Sequence, residues 1–386
     1  MKILLAFDKF KGSLSAEQAC EVAARVLAAA HPSWTICACP LSDGGEGFGR
    51  ILTKSAKGDW SDVRVRGPGG GEVTAGAGIV FTRCIPPAAR AMLPVSLDGG
   101  DRVGIVEMAL ASGLVLLPAG SRNPWETDTR GTGQLMRSSA DAGARAILLG
   151  VGGSATNDLG LGALAELGVC PLDSSGSPVD PVSPDQWERI SGFRGRLPAG
   201  FPGVFIACDV KNPLLGPSGC TAVYGPQKGL LPEDVARMDA GADRVARLLA
   251  RHFGLPESLA SEPGMGAAGG IAFGLRCAAR AEVLPGAEFV AAWLDLDRHL
   301  EECDVVITGE GRFDATSLQG KGPGELLRRA SSLGKKAFVL AGSVEHALPG
   351  ADAAIAITPG GLPLAEALAR GPEFLALAVA RIEARL

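Results

Sequence analysis

No apolar run in this sequence approaches the roughly 20 residues that a membrane-spanning helix needs. There is no long basic block, and the formal charge is -5, which disfavours nucleic acid as a partner. The nine cysteines include no C-x-x-C pair, and their odd number leaves no closed disulfide framework. They read as buried small hydrophobes in a reducing compartment. Cys37 and Cys39, the one close pair, alternate as on one face of a strand. G-x-x-x-x-G-K-[ST] is missing, which excludes a P-loop. H-R-D and D-F-G are missing, which excludes the protein-kinase core. The four histidines (His31, His252, His299 and His346) form no H-E-x-x-H or paired His–Cys set, so zinc catalysis is disfavoured. The missing G-x-S-x-G elbow speaks against an α/β-hydrolase. No internal repeat of 20–50 residues is visible.

Glycine, in contrast, is plentiful, at 54 of 386 residues, with 26 prolines. The glycines cluster beside short apolar runs, which marks tight strand-to-helix turns. Hydrophobic residues at 46% and charged residues at 20% supply a packed core. The length exceeds one domain of roughly 100–200 residues. Met1–Phe7 meets Asp8, Lys9 and Lys11 too early for a signal peptide, so a first strand and a cytoplasmic protein are expected.

Ile3–Phe7 is a buried-type strand ending in Asp8. Ser15 and Gln18 form a capping box for a helix striped by Val22, Val26 and Leu27. Trp34–Cys39, Ala146–Leu149, Val204–Ala207, Val305–Thr308, Lys336–Leu340 and Ala353–Ile357 read as further strands. Helices are expected around Leu161–Leu167, from Pro323, and from about Pro372 to the end. The segment from Asp62 to Pro94 reads as β-hairpins or an insertion. This alternation predicts an α/β fold with mainly parallel sheet. The expected organisation is a Rossmann/flavodoxin-like parallel-sheet domain, residues 1–62 with 285–386, and an inserted second α/β domain, residues 63–284.

Ligands gather at the carboxyl ends of parallel strands, and polar loops follow the expected strands there. Asp8, with Lys9, Lys11 and Ser13, suits an anionic ligand. Asp43-Gly44-Gly45-Glu46-Gly47 offers two carboxylates for magnesium or a hydroxyl, or is a solvated turn. Gly150-Val151-Gly152-Gly153-Ser154-Ala155 follows an apolar run and precedes a helix, a place for phosphate or carboxylate. It also matches the dinucleotide G-x-G-x-x-A, with Asp173 where a ribose-binding acid falls, though Cys170-Pro171-Leu172 is a poor strand end. A structural turn is the third reading. Gly264–Gly269 matches G-x-G-x-x-G without an apolar strand before it. Asp209–Pro213 with Gly225–Gly229, and Glu310–Asp314 with Gly320–Gly322, again mix acids, a cation and glycines.

In this order the loops resemble the bacterial type-1 glycerate kinase family. The matching stretches are DKFKGSLS from Asp8, PLSDGGEG from Pro40, EMALASGLVLLP from Glu107, RNPWETDTRGTG from Arg122 and GVGGSATNDLG from Gly150. They continue with ACDVKNPLLG from Ala207, YGPQKG from Tyr224, PGMGAAGG from Pro263 and DVVITGEGRFDATSLQGK from Asp304. Phe7 and Lys9 depart from the family's PDSFKGS, and Lys211 from its ACDVTNPL. The resemblance implies phosphorylation of D-glycerate by ATP with Mg²⁺, to 2-phosphoglycerate with 3-phosphoglycerate open, in a cleft between two domains. It implies no nucleic-acid or membrane partner and fixes no oligomeric state. Asp209, Asp43 and Asp8 are then the expected catalytic acids, with Asp43 and Asp209 as metal candidates. Lys11, Ser13, Glu46, Gly152, Gly153, Ser154, Asn157, Asp158, Asn212, Lys228, Glu310, Asp314 and Lys321 are the expected substrate or phosphate contacts. An NAD(P)-dependent dehydrogenase of a small hydroxy acid and a non-catalytic organic-anion sensor are the alternatives.

Overall fold

The computed structural model describes residues 1–42, 44–314, 317, 322–345 and 350–384, apart from the side chain at 119. The chain opens with β1 (Lys2–Phe7), α1 (Ala16–Ala30) and β2 (Thr35–Ala38). Then come α2 (Phe48–Ser55), β3 (Asp59–Arg66), β4 (Glu72–Phe81), α3 (Pro87–Ala91) and β5 (Arg102–Glu107). Next are α4 (Ala109–Ser112), α5 (Arg130–Asp141), β6 (Ala144–Gly150) and α6 (Leu161–Glu166). A small ribbon of β7 (Cys170–Leu172) and β8 (Gly192–Arg194) precedes β9 (Gly203–Ala207). After these come α7 (Cys220–Tyr224), α8 (Val235–Phe253), α9 (Ala267–Ala279), β10 (Glu282–Leu284) and α10 (Gly286–Trp293). The last stretch holds α11 (Leu296–Glu302), β11 (Val305–Gly309), β12 (Arg312–Phe313), α12 (Gly322–Ser332), β13 (Lys336–Ala341) and β14 (Ser343–Val344). It ends with β15 (Ala353–Ala356), α13 (Leu364–Ala369) and α14 (Gly371–Glu383).

Two compact units result: Met1–Asp43 with Val290–Leu386, and Gly44–Phe289. The first is built on a parallel sheet in the order β15-β13-β11-β1-β2. From β1 the chain steps to β2 on one side, and later returns to β11 on the other. The strand order therefore reverses between β1 and β11, where a crevice opens at the carboxyl ends. The capping box is formed: Gln18 N donates to Ser15 Oγ at 3.1 Å and Ser15 N donates to Gln18 Oε1 at 2.9 Å. Small residues (Ala19, Cys20, Ala23) fill the buried stripe of α1 with Leu27, while Val22 and Val26 are half-buried. Ile3, Leu5, Ile307, Leu340, Phe374 and Ile382 form the core beside them.

The second unit is a mixed sheet in the order β10-β9-β6-β5-β4-β3. The first four strands are parallel, and β5, β4 and β3 pair antiparallel. The hairpin expected after Asp62 is β3–β4, and it starts earlier, at Asp59. Cys170–Leu172 is a strand after all. It pairs only with β8, and such an edge tolerates the missing N–H of Pro171. No helix among the described residues is long and apolar enough to cross a membrane.

Candidate active site

In the parallel-sheet unit, the crevice between β1 and β11 carries the loops that start with Asp8 and Glu310. Asp8 N donates to Gly309 O at 2.9 Å, which ties the two strand ends together. A cavity of about 760 Å³ lies there. It is lined by the charged Asp8, Lys9, Lys11, Glu310 and Arg312 and by the apolar Ile357, Leu362, Leu364 and Leu368. Asp8 Oδ1 accepts from Lys9 N at 2.6 Å and lies 3.6 Å from Lys9 Nζ. Arg312 Nε is 3.3 Å from Asp314 Oδ2. Glu310 Oε1 is buried without a hydrogen-bond partner among the described residues. Burial first, then the charges of Asp8 and Asp314, push the Glu310 carboxyl up to about 7, with Ser317 and Lys9 pulling the other way. A carboxylate with that affinity is suited to take and give a proton near neutral pH. The Ser13 hydroxyl is directed elsewhere: it donates to Leu368 O at 2.7 Å.

The second unit gathers its own polar loops after β6 and β9. Gly152 N donates to Gly44 O at 3.0 Å, and a Cβ on Gly152 would lie 2.5 Å from Gly45 Cα. That glycine permits loop to pack on loop. Gly153 differs, because a Cβ there would meet only Ala109 Cβ, at an ordinary 3.5 Å, while its φ of +76° excludes most side chains. Gly153→Val should therefore strain this loop and cost about 1–3 kcal/mol in urea unfolding, the scale of a disfavoured backbone conformation. An unchanged stability would mean that the loop absorbs the side chain.

Asp158 is fully buried. Its Oδ2 accepts from Thr129 N (2.9 Å), Thr129 Oγ1 (2.8 Å) and Gly162 N (3.0 Å), and its Oδ1 from Gly160 N (3.1 Å). It thereby holds the starts of α5 and α6, and burial pushes its pKa up against these donors. Asn157 Nδ2 donates to Thr221 Oγ1 at 3.0 Å. Lys228 is buried, and its ammonium donates to Ser154 Oγ at 3.1 Å and to Thr156 O at 2.6 Å. Desolvation draws its pKa down to about 8, offset in part by Cys220 and Asp158. Lys228 thus grips the Gly152–Asp158 loop through Ser154. In the neighbouring loop, Asp209 Oδ2 accepts from Ala287 N, at the start of α10, at 3.0 Å. Asn212 donates to Ser218 O at 2.7 Å and accepts from the Tyr224 hydroxyl at 2.8 Å. Glu46 is exposed. Asp43 and Lys321 lie outside the described residues.

Glu107 is an acid not singled out as a candidate. It is buried at the end of β5, where Oε1 accepts from Gly47 N at 3.1 Å and Oε2 from Gly49 N at 3.0 Å. It fixes the Gly44–Gly49 turn and the start of α2. The signal was available, since Glu107 ends an apolar run as Asp8, Asp209 and Glu310 do. The dinucleotide alternatives find little here. Beyond Gly150 the helix begins only at Leu161, and Asp173 accepts from Ser175 and Ser177 in its own exposed turn. In the Gly264–Gly269 motif, Cβ atoms on Gly266 and Gly269 would lie 2.2 and 2.1 Å from Pro213 O and Thr156 O. Those glycines serve loop packing.

Among the described residues, no three His, Cys, Asp or Glu side chains gather into a metal cage. Mg²⁺ seldom needs one, because it is usually bound by one or two carboxylates plus phosphate oxygens. Asp8, lining the same cavity as two lysines and an arginine, fits that donor set.

The sequence profile of the glycerate kinase family matches residues 3–386. A Bacillus subtilis glycerate kinase is 36% identical, over 97% of this chain and 95% of the relative. An Escherichia coli glycerate 2-kinase is 34% identical, over 89% and 86%. The crystal structure described as "putative glycerate kinase 2" from Salmonella typhimurium LT2 superposes with a TM-score of 0.78 at 33% identity, covering 100% of this chain and 98% of that one.

Proposed function

Because this chain belongs to the glycerate kinase family, we propose that it moves the γ-phosphoryl group of ATP onto the 2-hydroxyl of D-glycerate, giving 2-phosphoglycerate. It is a phosphotransferase with an alcohol acceptor. The name of the Escherichia coli relative, glycerate 2-kinase, supports the 2-position. The observation that carries the reading is the pairing of Asp8 and Glu310 at the β1–β11 crevice, in a cavity shared with Lys9, Lys11 and Arg312.

Phosphoryl transfer needs positioning and charge neutralisation more than covalent chemistry. Lys9, Lys11 and Arg312 draw the phosphates to the crevice. Mg²⁺, when bound, neutralises phosphate charge, and Asp8 is the side chain to hold it alongside phosphate oxygens. Glu310, half-buried and poised near neutrality, accepts the proton that the attacking hydroxyl loses. In the second unit, Lys228 and Glu107 keep the Gly152–Asp158 and Gly44–Gly49 loops in shape.

The deciding experiment is a coupled assay with ATP, Mg²⁺ and D-glycerate, with the product identified by phosphorus NMR. Absence of turnover, or phosphate on the 3-hydroxyl, overturns the proposal. Asp209 and Asp43 are the acids expected from the sequence as catalytic or metal-binding groups, and their variants test that expectation separately from the Asp8 and Glu310 assignments. Asp209→Asn retains an oxygen for Ala287 N, so it should fold normally. It should still lower kcat about 10²-fold or more, as should Asp43→Asn. Near-normal turnover in both variants would remove the two acids from the chemistry.

A further inference from the structure

The apolar wall of the crevice cavity lies beyond what phosphate and a small hydroxy acid require. Ile357, Leu362, Leu364, Ala367 and Leu368 line it, from the end of β15 through α13. The helix α13 has no buried residue, and Leu364 is 74% exposed although it borders the cavity. A large apolar side chain left open at the rim of a pocket gains free energy when a flat apolar ligand covers it. The same wall is joined to the Asp8–Ser13 loop. Ser13 Oγ donates to Leu368 O, Gly12 passes the Leu368 methyl groups, and Gly371 leaves no room for a Cβ beside Ser13 Oγ. The loop with Lys9 and Lys11 and the helix with Leu364 and Leu368 are therefore one connected piece. A pocket of this size, lined both by apolar side chains of 357–368 and by Lys9, Lys11 and Arg312 beside two carboxylates, matches a nucleoside triphosphate: an aromatic base with a polyanionic, cation-bound tail.

We propose that residues 357–368 form the nucleobase shelf of the phosphoryl donor, the base lying against Leu362, Leu364 and Leu368 with its phosphates at the Asp8–Ser13 loop. This rests on the kinase reading above only in the identity of the donor. Ser13 is then a positioning residue, which ties the phosphate loop to the shelf without touching the phosphates.

The test uses the whole chain and Leu364→Ser, an exposed position whose change leaves the core untouched. Binding of the non-hydrolysable analogue AMP-PNP with Mg²⁺ is measured by calorimetry without glycerate, beside inhibition by inorganic tripolyphosphate, which has no base. Leu364→Ser should weaken AMP-PNP about tenfold and raise the KM for ATP similarly. Tripolyphosphate inhibition and the KM for glycerate should stay within about twofold of the parent. An unchanged AMP-PNP affinity, or a loss confined to glycerate, overturns the shelf. If the parent chain binds AMP-PNP in this Leu364-dependent way but does not phosphorylate glycerate, the shelf stands and the proposed reaction falls.

Discussion

Glu310→Gln should lower kcat by about 10²- to 10⁴-fold, the scale of general acid–base assistance. The amide has nearly the same size and still fills the half-buried position, but it cannot accept a proton. The pH dependence gives an independent reading. Glu310 must be ionised to act as a base, and its pKa is pushed up to about 7, chiefly by burial. Activity should therefore be full above that value and lost as pH falls through it. The kcat/KM of the parent enzyme should show this acid limb, and the residual activity of Glu310→Gln should lack it. A variant with parental kcat, or with the same limb, would clear Glu310 of the role.

Asp158→Ala should destabilise the second unit by about 3–5 kcal/mol, the usual result of removing one partner from a buried charged network. The four donors on Asp158, three backbone amides and the Thr129 hydroxyl, would be left dry and unpaired. They lie at the starts of α5 and α6, so both helices lose their fastening together. Asp158→Asn keeps one acceptor oxygen and should fall between the two. Urea unfolding measures the loss, and a change below about 1 kcal/mol would mean that the donors find other partners.

The two variants also divide what sequence could and could not disclose. Strands were plain where buried apolar runs end in an acid, as in Ile3–Phe7 and Val305–Thr308, and the Ser15–Gln18 box located α1. Glycine was harder. Gly152 and Gly153 adjoin in sequence, yet one serves loop packing and the other a left-handed turn, a difference set by neighbours far along the chain. Charge was harder still. Lys228 reads as a substrate or phosphate contact, and the structure finds its ammonium buried on Ser154 Oγ and Thr156 O, which no local pattern announces. Asp158 reads as a ligand-facing acid, but its oxygens are taken by helix starts. The apolar stretch 362–368 follows the last strand with no polar motif to mark it, and gains meaning only beside the Asp8–Ser13 loop. Which way each side chain turns depends on long-range packing that the local pattern does not encode.

The order of strands in the parallel sheet has a consequence for biosynthesis. β1 lies between β2 and β11, and the latter follows some three hundred residues later, with the whole Gly44–Phe289 unit in between. On the ribosome, at about 5–20 residues per second, the inserted unit is complete before β1 has its second partner. Meanwhile the nascent β1, Lys2–Phe7, is almost wholly apolar and exposes an open edge. The amphipathic α1 that follows it is available to shield one face, but not that edge. Until Val305 emerges, the segment that will carry Asp8 is the part of the nascent chain most in need of a chaperone.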